Sequence, residues 1–155
     1  MSKNRFALCT MIAVLLLLLS TSAREKQIKK SELPASVQKA VEEQAKSGKV
    51  LGYSTEVEGG QREYEVETIV NGNSRDITFA PDGNVLELEQ QVDLDDLAAE
   101  VREGLKAKAG SGTITKVESL TKRGKLVAYE AKVCKGAKSY EIQVAPDGKS
   151  LVRPE

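Results

Sequence analysis

Ala80-Pro81-Asp82-Gly83 returns letter for letter as Ala145-Pro146-Asp147-Gly148, 65 positions further along the chain. Proline presets the first turn angle and glycine accepts the left-handed position, so each tetrapeptide marks a tight reversal between strands. The likeness spreads outward from these turns. Tyr64-Glu65 recurs as Tyr129-Glu130 at the same offset, and Leu33, Ala35, Val37 and Ala45 recur as Leu97, Ala99, Val101 and Ala109, shifted by 64. A unit written twice implies a repeated architecture with two similar surfaces.

Each unit reads as a helix and then strands. Leu33, Val37, Ala40, Val41 and Ala45 fall on one helical face, with Lys39, Glu42, Glu43 and Lys46 opposite. Leu33-Pro34 opens that helix and Gly48 is the expected stop. The period then shortens to two. Leu51, Tyr53, Thr55 and Val57 alternate as far as Gly59-Gly60, and Tyr64, Val66, Thr68 and Val70 alternate as far as Asn71-Gly72, a strong hairpin signal. Ile77 and Phe79 precede the first Pro-Asp-Gly turn, and Val85, Leu86 and Leu88 follow it. In the second unit Leu97, Val101, Leu105 and Ala109 form the helix face, with Asp95 or Asp96 as the expected cap and Gly110 or Gly112 as the stop. Strands are expected near 114–120, 127–134, 139–144 and 150–152.

The predicted fold is therefore α+β: two tandem repeats, each one helix followed by a four-stranded antiparallel meander. Repeat 1 spans 32–95 and repeat 2 spans 96–155. Units of about 60 residues are marginal alone, so the two are expected to pack together or to share sheet edges. Ahead of them, Lys3 and Arg5 precede an apolar run from Phe6 to Leu19 and a small-residue exit at Ser20-Thr21-Ser22-Ala23. That layout predicts a signal peptide over 1–23, too short to span a bilayer, and an exported protein of the bacterial periplasm or exterior. A polar, basic lead over 24–31 is expected to be disordered. Cleavage leaves Cys134 as the one cysteine, which excludes an internal disulfide and reads as a small strand side chain.

Composition narrows the chemistry. The sequence has no histidine, the residue best suited to proton transfer near neutral pH and to zinc ligation. Its glycines lack the spacing and lysine of a phosphate-cradling loop, and a lone cysteine cannot form a redox pair. No catalytic residues, metal site or cofactor are expected, and the protein is read as non-enzymatic. Asp82 and Asn84 in the first Pro-Asp-Gly turn could ligate calcium, but Lys149 stands where Asn84 has its counterpart, and turn geometry suffices. Tryptophan is absent, and no basic stripe with interleaved aromatics marks a nucleic-acid surface.

The formal net charge of zero conceals an asymmetry: 32–95 carries 5 bases and 14 acids, whereas 96–155 carries 12 bases and 8 acids. Strand alternation places Glu56, Glu58, Glu63, Glu65, Glu67, Asp76, Glu87 and Glu89 on the polar side of the first sheet, with like charges side by side across strands. Glu56, Glu58, Glu63, Glu65, Glu67, Glu87 and Glu89 are the candidate partner-binding residues, because a one-signed surface steers a cationic protein or peptide. The matching strands of the second unit carry a mixed set, Lys116, Glu118, Lys122, Lys125, Glu130, Lys132 and Glu141, which could pair with the acidic half of another copy. An envelope ligand or cation sensor using the same face is the alternative.

A helix opening with Leu33-Pro34, then Gly59-Gly60, Tyr64-Glu65-Val66-Glu67, Asn71-Gly72, Ile77 and Pro81-Asp82-Gly83-Asn84-Val85-Leu86-Glu87, resembles the PepSY and PepSY-like modules of bacterial exported proteins, also described as β-lactamase-inhibitor-like. The resemblance runs from about Glu32 to Val152 and rests on turn and core positions. It implies a helix-plus-meander sheet, an envelope or secreted address, and a role in restraining peptidases or other partners as modulator or inhibitor. No inhibitory loop carries over onto these residues.

Overall fold

The computed structural model describes residues 25–45 and 48–155. The expected signal peptide lies outside the described residues. Eight strands form one antiparallel sheet in chain order: β1 (Lys26–Gln27), β2 (Gly48–Glu58), β3 (Gln61–Val70), β4 (Asn73–Phe79), β5 (Val85–Gln91), β6 (Thr113–Lys122), β7 (Lys125–Lys135) and β8 (Lys138–Val144). Among the described residues two α-helices accompany it, α1 (Ala35–Gln44) and α2 (Ala99–Ala109).

This corrects the expectation of two repeats, each a helix with its own four-stranded meander. The sheet is continuous, because β5 pairs with β6 from Glu87 opposite Lys122 to Gln91 opposite Glu118. Only three strands follow α2. The strand expected over 150–152 is reduced to a single bridge between Ser150 and Val144, and Val152 is 99 % exposed. An eighth strand is added instead at the other edge, where Lys26 and Gln27, in the lead read as disordered, pair with Thr55 and Ser54 of β2.

The turns follow the sequence reading. Asn71 and Gly72 both have positive φ, as do Arg123 and Gly124, which is the twist-matched geometry for two-residue hairpins. Helix ends differ from expectation. Pro34 and Ala98 stand at the N-caps without a capping side chain, while Asp95 and Asp96 lie in a preceding 3-10 turn. Gly110 ends α2 at φ 57°, but α1 ends at Ala45, and Gly48 already belongs to β2.

Both helices cover the same sheet face. Leu33, Val37 and Val41 pack over Tyr64, Val66, Ile77 and Phe79, and Val101 and Leu105 pack over Val117, Ala131 and Val144. Register puts Leu88 opposite Thr121 and Gln90 opposite Ser119, and Val92 N–H donates to the Val117 carbonyl. The floor between the two apolar clusters is thus polar at its centre. Each Pro-Asp-Gly turn tucks under a helix. A Cβ on Gly83 would lie 2.8 Å from the Ser36 carbonyl oxygen, and one on Gly148 would lie 2.1 Å from that of Glu100.

The hydroxyls of the buried Ser54, Thr55 and Thr68 are satisfied locally. Thr68 donates its hydroxyl to the Arg75 carbonyl at 2.5 Å, and Thr55 donates to the Glu63 carbonyl at 2.7 Å. Thr68→Val removes one such bond and leaves a carbonyl without that donor. The variant is expected to be about 1 kcal/mol less stable in urea denaturation, with an unchanged m-value.

Candidate functional site

The sheet face turned away from the helices carries the acidic residues. Alternation fixes this, because Val66 opposite Ile77 lies in the core while Glu65 and Glu67, one step away, oppose Thr78 and Asp76. Register then sets like charges directly across from each other: Glu56 with Glu63, Glu67 with Asp76, Asp76 with Glu89, and Glu118 with Glu130. Such pairs oppose folding by roughly 0.2–1 kcal/mol each. The described residues place two lysine bridges among them, Lys116 to Glu118 at 2.7 Å and Lys122 to Glu87 at 3.4 Å.

The seven predicted partner-binding glutamates divide into two groups. Glu56, Glu58 and Glu63 gather at one end, near the Gly59-Gly60 turn, with carboxylate oxygens within 4.8 Å of one another. Glu58, Glu63 and Glu87 also line a shallow cavity of about 230 Å³ with Leu86, Lys122 and Arg123. Glu65, Glu67 and Glu89 lie towards the middle of the face and are half-buried. There Asp76, Glu89 and Glu118 bring their carboxylate oxygens within 4.8 Å of one another.

Burial changes these groups. Desolvation raises the Glu89 carboxyl to about 8, reinforced by Glu118, Glu130, Glu87 and Asp76. Desolvation likewise lifts Glu65 to about 7, with the charge of Glu25 adding to it and the Ser54 hydroxyl, donating at 3.2 Å, opposing it. Asp76 is raised by burial, and the Lys116 ammonium partly offsets the shift. Glu130 is raised by burial although Gln143 donates to it at 2.7 Å. Desolvation also raises Glu56 and Glu63, with Glu58 as the largest charge effect on each.

Sequence reading placed these carboxylates on solvated, outward positions and so missed their desolvation. It also missed Glu118 and Glu130, which it left on a mixed second face. Glu118 is only 12 % exposed, and Ser74 donates to it across β5 at 3.1 Å. Nothing in local periodicity shows that β5 and β6 are neighbours, and it is that pairing which joins Glu89 to Glu118. Leu120 is a further surprise. It opposes Glu89 on the acidic face yet is only 3 % exposed, with Glu118 and Lys122 beside it along the strand. Among the described residues no aromatic shares this face: Tyr53, Tyr64, Phe79 and Tyr129 pack with the helices, and the Tyr140 hydroxyl donates to the Ala109 carbonyl of α2. Cys134 is half-buried on β7, with its thiol 3.9 Å from the Ser139 hydroxyl.

Fold and face together define a single-sheet protein with helices on one side and an open carboxylate-rich surface on the other. No family model and no curated protein sequence matches the chain. Solved structures do match its fold. A protein of Bacteroides eggerthii assigned to the periplasm superposes with a TM-score of 0.62 at 21 % identity, over 77 % of this chain and 86 % of that one. A BLIP-like protein of Bacteroides fragilis matches with a TM-score of 0.57 at 15 % identity, covering 77 % and 83 %. A DUF2874 family protein of Bacteroides ovatus matches with a TM-score of 0.59 at 19 % identity, covering 77 % and 84 %. The fold is thus BLIP-like, in agreement with the β-lactamase-inhibitor-like shape that the resemblance implies.

Proposed function

We propose that this chain is a non-enzymatic, exported binding module whose open sheet face docks a cationic protein or peptide. The observation that carries the reading is the face itself: half-buried carboxylates from β3 to β7, opposed like with like, with neither described helix over them. Folding tolerates such a row at a cost in stability, and a partner's lysine or arginine side chains would relieve it. The periplasmic assignment of the Bacteroides eggerthii neighbour supports the exported address, as does the signal-like segment over 1–23. The BLIP-like fold supports a protein partner, and the PepSY resemblance makes a peptidase the first partner class to test.

A synthetic peptide of alternating lysine and serine is the probe. Calorimetry is expected to show one-site binding that weakens with salt. The combined Glu65→Lys, Glu67→Lys and Glu87→Lys variant is expected to lose at least about tenfold in affinity. Equal binding by the variant would remove the face from the account. The second reading, a cation sensor, is favoured by the Asp76, Glu89 and Glu118 oxygens lying within 4.8 Å. The Lys116 ammonium, 2.7 Å from Glu118, already neutralises part of that trio and favours the polypeptide reading. Stoichiometric calcium binding in the same instrument would reverse the order.

A further inference from the structure

The two apolar clusters, one under each helix, lie on either side of the join between β5 and β6. Five residue pairs make that join, from Glu87 with Lys122 to Gln91 with Glu118. Leu88 and Leu120 are its apolar residues, and the rest of it is polar. On the helix face its middle is Gln90 opposite Ser119, whose hydroxyl donates to the Gln90 carbonyl at 3.4 Å. On the open face Glu89 of β5 opposes Leu120 of β6, with Glu118 beside it. Backbone bonds, the Lys122–Glu87 ion pair and the buried Leu120 hold this join, and the carboxylates crowd beside it.

We infer that the β5–β6 join is a proton-dependent seam, closed while Glu89 or Asp76 keeps its proton beside Glu118 and loosened when both have lost it. The geometry sets the sign. Three carboxylates within 4.8 Å of one another cannot all carry charge cheaply beside a single close lysine. A retained proton removes one of the crowded charges and with it the repulsion across the strands.

The charged groups facing the trio come from each neighbouring strand. From β3 come Glu65 and Glu67, and β5 also supplies Glu87. β6 supplies Lys116, bonded to Glu118, and Lys122, bridged to Glu87. β7 supplies Glu130 and Lys132, and beyond them Glu141 of β8 opposes Lys132. Arg75 of β4 lies on the other face, where its guanidinium donates to Gln44 of α1, and does not offset the trio. The upward shifts at Glu89 and Asp76 agree with a held proton.

Amide hydrogen exchange, corrected for the intrinsic pH dependence of exchange, tests the seam. Val92 N–H, bonded to the Val117 carbonyl, and Arg123 N–H, bonded to the Leu86 carbonyl, report from its two ends. Between about pH 6 and about pH 9 their protection is expected to fall roughly tenfold more than that of β3–β4 amides. Glu89→Gln, which cannot ionise, is expected to abolish the difference. A fall shared equally by β3–β4 would mean general charge repulsion and would overturn the seam. Protection unchanged with pH, or a seam-specific fall that persists in Glu89→Gln, would overturn it as well. Should Glu89→Gln fail to fold, Asp76→Asn carries the same test from the neighbouring strand.

Discussion

Gly104→Ala is expected to destabilise the protein by about 3 kcal/mol or more, although alanine is the better helix former. In an unencumbered helix the change would gain about 1 kcal/mol. Here a Cβ on Gly104 would stand 2.1 Å from the Gly148 carbonyl oxygen, a backbone atom that cannot swing away. Room for it comes only by lifting α2 from the Pro146-Asp147-Gly148 turn, which uncovers Val101 and Leu105. Gly148 fails for the same reason from the other side, with φ at 79° and the Glu100 carbonyl 2.1 Å from its would-be Cβ. Gly124→Ala is the control: φ is 78° but nothing lies within 4 Å, so only backbone strain of about 1 kcal/mol is expected. Thermal denaturation of the three variants separates contact from conformation. Near-wild-type Gly104→Ala would show that the helix does not rest on this turn. The first helix has Ala40 at the corresponding place, and a Cβ on Gly83 in its turn would lie 2.8 Å from the Ser36 carbonyl oxygen, a looser approach.

Glu89→Gln is expected to stabilise the protein in mild alkali and to leave it unchanged in acid. The folded chain holds the Glu89 proton up to about 8, whereas the ordinary glutamate value is 4.5. A carboxyl raised by folding binds its proton more tightly in the native state. Its contribution is therefore full below about 4.5 and is lost as pH climbs through about 8. Glu65, raised to about 7, has the same sign, and Asp76 and Glu130 shift in the same direction. Wild-type stability is accordingly expected to decline between about pH 5 and about pH 9. The glutamine variant removes the Glu89 part, about 2 kcal/mol at about pH 9 once its sharing with the neighbouring carboxyls is allowed for. Urea midpoints across that range are the readout. A wild-type profile that rises with pH would mean the carboxylates are paired rather than crowded.

The reach of the sequence can be judged residue by residue. Asn71-Gly72 and the two Pro-Asp-Gly tetrapeptides fixed their turns because few residues tolerate positive φ, and the i, i+4 apolar faces marked both helices. Sharing of sheet edges was expected from the small size of each half, and β5–β6 pairing realises it. The fourth strand of the second half was misread because Leu151-Val152 looks like a strand beginning. Only Ser150 finds a partner there, and Pro154 offers no donor for a ladder. β1 was invisible, because two polar residues, Lys26 and Gln27, show no alternation at all. The acidic face was legible strand by strand through β5. Its continuation through Glu118 to Glu130 was not, because it depends on which strand pairs with β5. Nor does period-two patterning report depth: Glu63 and Glu89 occupy equivalent outward positions, yet Glu63 stays near the sheet end while Glu89 opposes a buried Leu120.

A carbon-detected NMR titration of the side-chain carboxyls asks directly whether the open sheet face holds a crowded, desolvated set of acids. Glu89 is expected to titrate with a midpoint near 8, and Asp76 and Glu130 above the ordinary carboxylate range. A Glu89 midpoint near 4.5 would mean that water reaches the centre of the face freely, and the proton-held surface described here would not exist.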